Sequence, residues 1–219
     1  MQTAKTQPPS ESAIRRAMAE FQVNVNDGQV KQIQQYIDVL LKWNEKINLT
    51  AIRDPLEILY RHICESAFGA AVLSVGQCRL ADVGSGGGFP GIPMKIARPE
   101  MDLFLVESNM KKATFLTEVV RELGLTGVRV LVSRYEELSE EVAPLDFACS
   151  RAVGEFAPFL EWAHSPVVAS KKVALWIGAQ DADAVRKIHT WSWDEPKPIP
   201  HSLRRFVLVG TRIAEQAPS

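Results

Sequence analysis

The sequence predicts an α/β fold, a mostly parallel sheet covered by helices on both sides and preceded by a helical extension. Three observations carry that expectation. From Ser12 to about Val75, apolar residues recur at three- and four-residue spacing, the period of an amphipathic helix. After residue 78, short apolar runs alternate with amphipathic segments, as they do when crossover helices connect parallel strands. At the start of that alternating region, Leu80-Ala81-Asp82-Val83-Gly84-Ser85-Gly86-Gly87-Gly88-Phe89-Pro90-Gly91-Ile92-Pro93 ends an apolar run in an acid, turns through glycines and opens a helix with prolines. Glycine permits positive φ and close approach of a ligand to the main chain, and proline fits a first helical turn, so this stretch reads as a cofactor cradle.

The elements follow in order. Ile33, Tyr36, Ile37, Leu40, Leu41 and Trp43 form one apolar helical face, and the helix ends across Lys42-Trp43-Asn44-Glu45-Lys46. Asp54-Pro55 starts the next helix, with Asp54 as N-cap and Pro55 at the first helical position. Ile58, Leu59, His62, Ile63, Ala67 and Ala70 lie along its buried side. Strands are expected over 79–83, 102–106, 128–132, 145–149 and 172–176, and helices over 92–97, 111–123 and around 181–188. Gly124 supplies the C-cap of the second of these helices. Residues 193–199 and 206–210 are candidates for a final antiparallel pair. Phe156, Phe159 and Trp162 repeat at helical spacing and read as core, while Trp191 and Trp193 alternate as on a strand and read as packing.

Composition bounds the function. The chain has 219 residues, 46% of them hydrophobic and 23% charged, room for one α/β domain with a small extension. The expected division is a disordered tail over 1–12, a helical extension over 13–75 and the α/β domain over 76–213. No apolar run approaches the ~18 residues of a membrane span, and the polar N-terminus lacks the apolar core of a signal peptide. Cys64, Cys78 and Cys149 are odd in number and far apart, so neither a zinc site nor a disulfide framework is indicated. Reduced thiols in a cytoplasmic protein are the simple reading, and nothing obliges more than a monomer. A net charge of −1 exerts no global pull on nucleic acid, so any such binding needs a local basic face.

Two glycine frames compete for the loop. Gly86-x-Gly88-x-x-Gly91 is formally a dinucleotide fingerprint, but Pro90 and Pro93 interrupt the place where its helix should already run. Gly84-x-Gly86-x-Gly88 instead follows directly on the strand acid Asp82, the arrangement common in sites for S-adenosylmethionine. That cofactor lacks a pyrophosphate; it needs a carboxylate or carbonyls near its amino group and room beside its ribose. Glu107, at the end of the next strand, can accept both ribose hydroxyls, which serves either cofactor. After the third strand, Ser133-Arg134-Tyr135-Glu136-Glu137 can meet an adenine edge, and reads equally well as an ordinary loop before a helix.

With these residues in hand, the chain resembles the bacterial 16S ribosomal RNA guanine-N7 methyltransferase family, also called glucose-inhibited division protein B. The resemblance rests on Trp43-Asn44 with Asn48-Leu49-Thr50-Ala51-Ile52-Arg53-Asp54-Pro55, on Arg61-His62, and on the loop from Asp82 to Pro93. Lys111-Lys112 with Phe115-Leu116, Ser133-Arg134-Tyr135-Glu136-Glu137 and Ser150-Arg151-Ala152 continue it, so it spans residues 30 to 210. It implies a class I S-adenosylmethionine-dependent methyltransferase fold, Rossmann-like, acting on 16S ribosomal RNA or the small ribosomal subunit and its assembly intermediates. By position, Gly84, Phe89, Tyr135, Glu136 and Arg151 would contact S-adenosylmethionine, with Gly86 and Gly88 in the same frame and Asp82 and Glu107 placed by the general fold pattern. Two departures stand out: Glu65-Ser66 where the family usually has Asp-Ser, and Trp176-Ile177-Gly178 where it often has a lysine before the glycine.

The implied chemistry is lean. Guanine N7 offers a lone pair and carries no proton, so its methylation needs no general base and rests on positioning and electrostatics. No catalytic acid, base or metal ligand is therefore expected. An arginine donating to N7 would block the nucleophile, so an arginine near the target should read O6 or phosphate. The candidates for RNA contact are Arg53, Arg61, His62, Lys111, Lys112 and Arg134, with Arg151 facing the cofactor side. A solvated N-terminal turn is the usual fate of a pair such as Lys111-Lys112, but cations are disfavoured at a helix N-terminus, which keeps a phosphate site open beside that reading. His62 reads first as a satisfied, half-buried histidine. Two other readings stay open: a non-catalytic ribosome-associated protein that keeps the fold for docking, and an NAD-dependent oxidoreductase, for which no proton donor has convincing spacing.

Overall fold

Ser10 begins the ordered helical extension: its hydroxyl accepts the Ala13 N–H at 3.3 Å and caps α1 (Glu11–Glu20). The computed structural model describes residues 8–74, 76–138, 142–151 and 154–213, so part of the tail expected over 1–12, and Val75 and Ala152 among the expected segments, lie outside the described residues. Within the described part the tail is shorter than expected, because Pro9 is buried and its carbonyl accepts the Gln34 amide. Asn26 and Gln29 form a reciprocal capping box that starts α2 (Asp27–Asn44). Asp54 accepts the Glu57 N–H at 2.8 Å and Pro55 occupies the first turn of α3 (Pro55–Ile58). That helix does not end. It passes through a π-helical segment, Leu59–Cys64, into α4 (Glu65–Val72), a local widening that the apolar periodicity does not reveal.

Beyond it lie β1 (Arg79–Val83), α5 (Gly91–Ala97), β2 (Asp102–Val106), α6 (Met110–Glu122), β3 (Val128–Leu131), β4 (Phe147–Ser150), α7 (Phe156–His164), β5 (Lys172–Gly178) and α8 (Ala179–Val185). The strands β3-β2-β1-β4-β5 are all parallel, with Asp82 opposite both Leu105 and Cys149. On the far side β8 (Arg205–Arg212) runs antiparallel to β5, with Gly178 opposite Arg205. The expected final pair is split in two: β6 (Trp191–Trp193) and β7 (Lys197–Pro198) both pair with β8. Pro198 has no N–H to donate, which limits β7 to a short ladder.

Each sheet face has its own core. One contains Ile14, Ile33, Tyr36, Leu40, Ile63, Phe115 and Leu116 packed with Leu80, Leu103 and Val207. The helical extension is therefore the outer layer of this face and shares a continuous core with the sheet. The other face is covered by α7 and α8 through Phe159, Leu160, Ala182 and Val185 against Ala81, Val83 and Leu175. No helix among the described residues is long and apolar enough to cross a membrane. Strand order reverses between β1 and β4, so the carboxyl ends of the parallel strands open a crevice there.

Candidate cofactor cleft

A cavity of about 320 Å³ opens at those carboxyl ends, lined by residues that include Gly84, Glu107, Ser108, Arg134, Tyr135 and Glu136. Gly84 turns out of β1 with φ +72°, and the space where a Cβ would stand is open. A side chain there would be strained and would protrude into the cavity. Glu107 ends β2 with its carboxylate held on two sides: Oε2 accepts the Gly86 N–H at 2.9 Å and Oε1 the Asn109 N–H at 2.8 Å. Each oxygen keeps a lone pair free to accept a hydroxyl. Tyr135 packs edge-on against Phe159 and Trp162, at centroid distances of 6.2 and 5.4 Å, so the aromatics of α7 brace it from behind. Burial and the neighbouring Glu136 push its phenol up to about 12, so it stays protonated.

The hydrogen bonds of the glycine turn decide between its two frames. Gly84 and Ser85 N–H donate to the Val106 carbonyl, Gly86 to Glu107, Gly88 and Phe89 to the Ser85 carbonyl, and Ile92 to the Gly88 carbonyl. Gly91, the last glycine of the dinucleotide frame, donates to Asp82 Oδ2 at 2.9 Å. Apart from Gly87, the amides of that frame are bonded inside the protein. What remains open is a bare backbone at Gly84 beside a carboxylate, which fits S-adenosylmethionine in the Gly84-Gly86-Gly88 frame.

Several expected contacts are corrected by their placement. Asp82 was expected at the cofactor's amino group, yet it is 0% exposed and absent from the cavity wall, fastening the start of α5 from beneath the loop. Its Oδ1 has no partner among the described residues, and burial raises its carboxyl to about 7, with the Glu107 charge adding to the shift against the Gly91 N–H. Gly88 lies inside the packing: a Cβ would sit 2.5 Å from Ile92 and 2.6 Å from the Tyr36 hydroxyl. Phe89 is 8% exposed and stacks on His62 at a centroid distance of 4.5 Å. Gly86 contributes through its bond to Glu107 and does not line the cavity.

Arg151 is likewise held by bonds within the protein. Its guanidinium donates to Glu65 at 3.2 Å, to the Arg61 carbonyl at 2.6 Å and to Ser66 at 3.3 Å, clamping the π-helical segment to the end of β4. Arg205 takes the other Glu65 oxygen, so a buried carboxylate joins two arginines across the sheet. Both sequence departures meet here: Trp176 Nε1 donates to the Glu65 carbonyl at 2.8 Å, and its ring lies over Gly69.

The RNA candidates sit on several different elements. Arg134 lines the cofactor cavity itself. Lys111 is exposed and Lys112 half-buried at the start of α6, where Asn109 already caps both amides. Arg53 is exposed, and Arg61 pairs with Glu57 at 3.1 Å. His62 Nε2 meets Thr50 Oγ1 at 2.6 Å, and burial together with the Arg151 and Arg61 charges lowers its imidazole to about 3. A neutral ring brings no charge to a phosphate near pH 7, and the stack on Phe89 agrees with the half-buried reading of His62.

Sequence reasoning missed Tyr36 as a support of the loop: its buried hydroxyl donates to the Gly87 carbonyl, whereas its position on an apolar helical face suggested packing alone. It also missed Gly154 on the cavity wall and Arg205 at Glu65. Ser108 could have been found, since it directly follows the strand-end acid.

This sheet order, with a glycine turn after β1 and an acid at the end of β2, defines a Rossmann-like protein of the class I methyltransferase fold. The fold is similar to that of a SAM dependent methyltransferase from Aquifex aeolicus (TM-score 0.57, 15% identity, covering 81% of this chain and 98% of that one). It is also similar to that of the 23S rRNA methyltransferase ErmE (TM-score 0.52, 13% identity, 68% of each chain). Within that class, the chain belongs to the GidB family, rRNA small subunit methyltransferase G, whose model matches residues 29–193. Relatives named ribosomal RNA small subunit methyltransferase G include those of Chromobacterium violaceum (40% identical, covering 68% of this chain and 70% of the relative) and Actinobacillus pleuropneumoniae serotype 3 (36%, 91% and 94%). That of Chloroflexus aggregans is 34% identical over 88% of this chain and 85% of its own.

Proposed function

We propose that this protein transfers a methyl group from S-adenosylmethionine to N7 of a guanine in 16S ribosomal RNA. Membership of the small-subunit rRNA methyltransferase family supports the substrate class. The observation that carries the cofactor assignment is the glycine turn, whose amides, apart from that of Gly87, are bonded internally while Gly84 and Glu107 face the cavity. When bound, the cofactor supplies an electrophilic sulfonium methyl. Glu107 accepts the ribose hydroxyls, Gly84 lets the ligand lie against the main chain, and Tyr135 with Glu136 meets the adenine.

The acceptor nitrogen needs no deprotonation, so the protein's task is to hold two reactants in line and to limit the cost of moving positive charge onto the base. Glu107, with its position locked by two backbone amides, keeps a fixed negative charge at the cavity. The protein acts in the cytoplasm as a monomer, on 16S rRNA or a small-subunit particle. A purely docking role is not favoured, because the cleft keeps an open Gly84 and an anchored Glu107.

Calorimetry with S-adenosylhomocysteine and with NAD tests the cofactor: the first binds and the second does not, and the reverse result would overturn the reading. Mapping N7-methylguanine in 16S rRNA from cells with and without the protein tests the acceptor, with one methylated guanine lost in its absence.

A further inference from the structure

A second, larger cavity of about 600 Å³ lies on the same carboxyl edge of the sheet as the cofactor cleft, beyond Arg151. The topology fixes this relation. Gly178 at the end of β5 pairs with Arg205 at the start of β8, so the loop before β8 rises from the edge where β1 and β2 deliver Gly84 and Glu107. The cofactor cleft occupies the β1-β2-β3 side of the strand-order reversal and this cavity the β4-β5-β8 side.

Its walls combine cations with apolar surface. Tyr60 and Arg61 come from the π-helical segment, His201, Leu203 and Arg204 from the loop, and Arg205 from the start of β8. The acids nearby are already engaged. Glu65 is shared by Arg151 and Arg205, Glu57 pairs with Arg61, and Glu20 Oε2 receives the Tyr60 hydroxyl and His201 Nε2. Arg204 is exposed and has no ion-pair partner among the described residues. Arg205 Nε is buried with no acceptor among the described residues. The loop is also built to stay in place. His201 has φ +59°, packs on Phe21 and Tyr60 at 5.5 and 5.9 Å, and leaves Leu203 99% exposed at the tip.

We propose that this cavity is a second RNA contact, where Arg204 and Arg61 hold the phosphodiester backbone of the strand presenting the target guanine while Leu203 rests against a base or sugar. The proposal rests on the rRNA methyltransferase reading and adds the surface that positions the acceptor. A backbone polyanion suits arginines gathered on one cavity wall, since arginine pairs with phosphate bidentately and its contacts give register without reading sequence. Arg151 bonds to Glu65 and to the Arg61 carbonyl, two residues of this cavity's wall, which ties the cavity to the end of β4.

The test compares full-length wild type with Arg204→Ala and Arg204→Lys, using a 16S rRNA fragment and S-adenosylhomocysteine as probes across a salt series. Arg204→Ala is expected to weaken RNA binding about tenfold and to lower the slope of log affinity against log salt by about one, with Arg204→Lys recovering the slope. Thermal midpoint and S-adenosylhomocysteine affinity stay at wild-type values, which shows an intact fold and cleft. Unchanged RNA affinity and slope in Arg204→Ala overturns this proposal alone. So does a variant that binds naked RNA normally but methylates an assembled particle poorly, since the loop would then meet a protein. A wild type without affinity for either the fragment or a small-subunit particle overturns the proposed function together with it.

Discussion

Asp82 ends β1 with its carboxyl shut away from solvent, and its raised value near 7 makes a prediction of defined sign. Its ordinary value is 3.8, so between about pH 4 and pH 7 the folded chain holds a proton there that the unfolded chain has lost. The stability associated with the protonated carboxyl is complete below about pH 4, falls as pH rises through about 7, and is flat above. Asp82→Asn keeps an acceptor for the Gly91 amide and removes the titration. Urea unfolding should show the variant gaining on wild type by a few kcal/mol between about pH 4 and pH 7; parallel pH profiles would exclude this role for Asp82. Gly84→Val makes the complementary case. At φ +72° with open space above it, valine strains the turn and blocks the cavity, so S-adenosylhomocysteine binding is lost while the fold persists. Calorimetry and circular dichroism on one sample check both halves. Motif position marks both as cofactor neighbours: Gly84 does stand on the cavity wall, whereas only the bond from Gly91 shows Asp82 facing inward.

At the scale of elements, the segment running from α3 through the π-helical turn into α4 meets β5 through a close contact. A Cβ on Gly69 would lie 2.1 Å from Trp176 Cζ2, and that ring is held by the bond from its Nε1 to the Glu65 carbonyl. Gly69→Ala should therefore cost about 1–3 kcal/mol, the usual penalty of overpacking. Trp176→Phe in the same chain should return part of it, giving a non-additive double-mutant cycle in urea midpoints. Additive effects would show that the contact is slack. The strands of the parallel sheet were legible because buried strands are continuous apolar runs. The π-helical turn and the split between β6 and β7 were not, since both depend on how the helix and hairpin are anchored to neighbours: Arg151 and Glu65 in one case, β8 in the other.

For the whole molecule, the helical extension and the glycine turn act as one unit. Tyr36 on α2 donates to the Gly87 carbonyl, and the Asn44 side chain accepts Leu49 and Thr50 N–H at 2.9 and 3.1 Å, with Thr50 reaching His62 and His62 stacking on Phe89. The Asn-Leu-Thr segment thus braces the back of the cofactor loop from a distance. Tyr36→Phe leaves a buried carbonyl unsatisfied, so it should lower stability by about 1–3 kcal/mol and also weaken S-adenosylhomocysteine binding, although Tyr36 is absent from the cavity wall. A variant that lost stability but kept full affinity would show that the loop holds its shape without the extension.

The sequence by itself determined the fold class, the helix start at Asp54, the strand over 79–83 and the family, because capping residues, apolar period and glycine spacing are local properties of the chain. Only the tertiary structure decided which motif residues face the cleft. Gly84, Glu107, Tyr135 and Glu136 do, whereas Asp82, Gly88, Phe89 and Arg151 are held by contacts within the protein. The reason is physical: a residue at a strand end or in a turn can point to a ligand or to a neighbour. Which it meets is set by hydrogen-bond partners such as Gly91 and Glu65, which lie 9 and 86 residues from Asp82 and Arg151 along the chain.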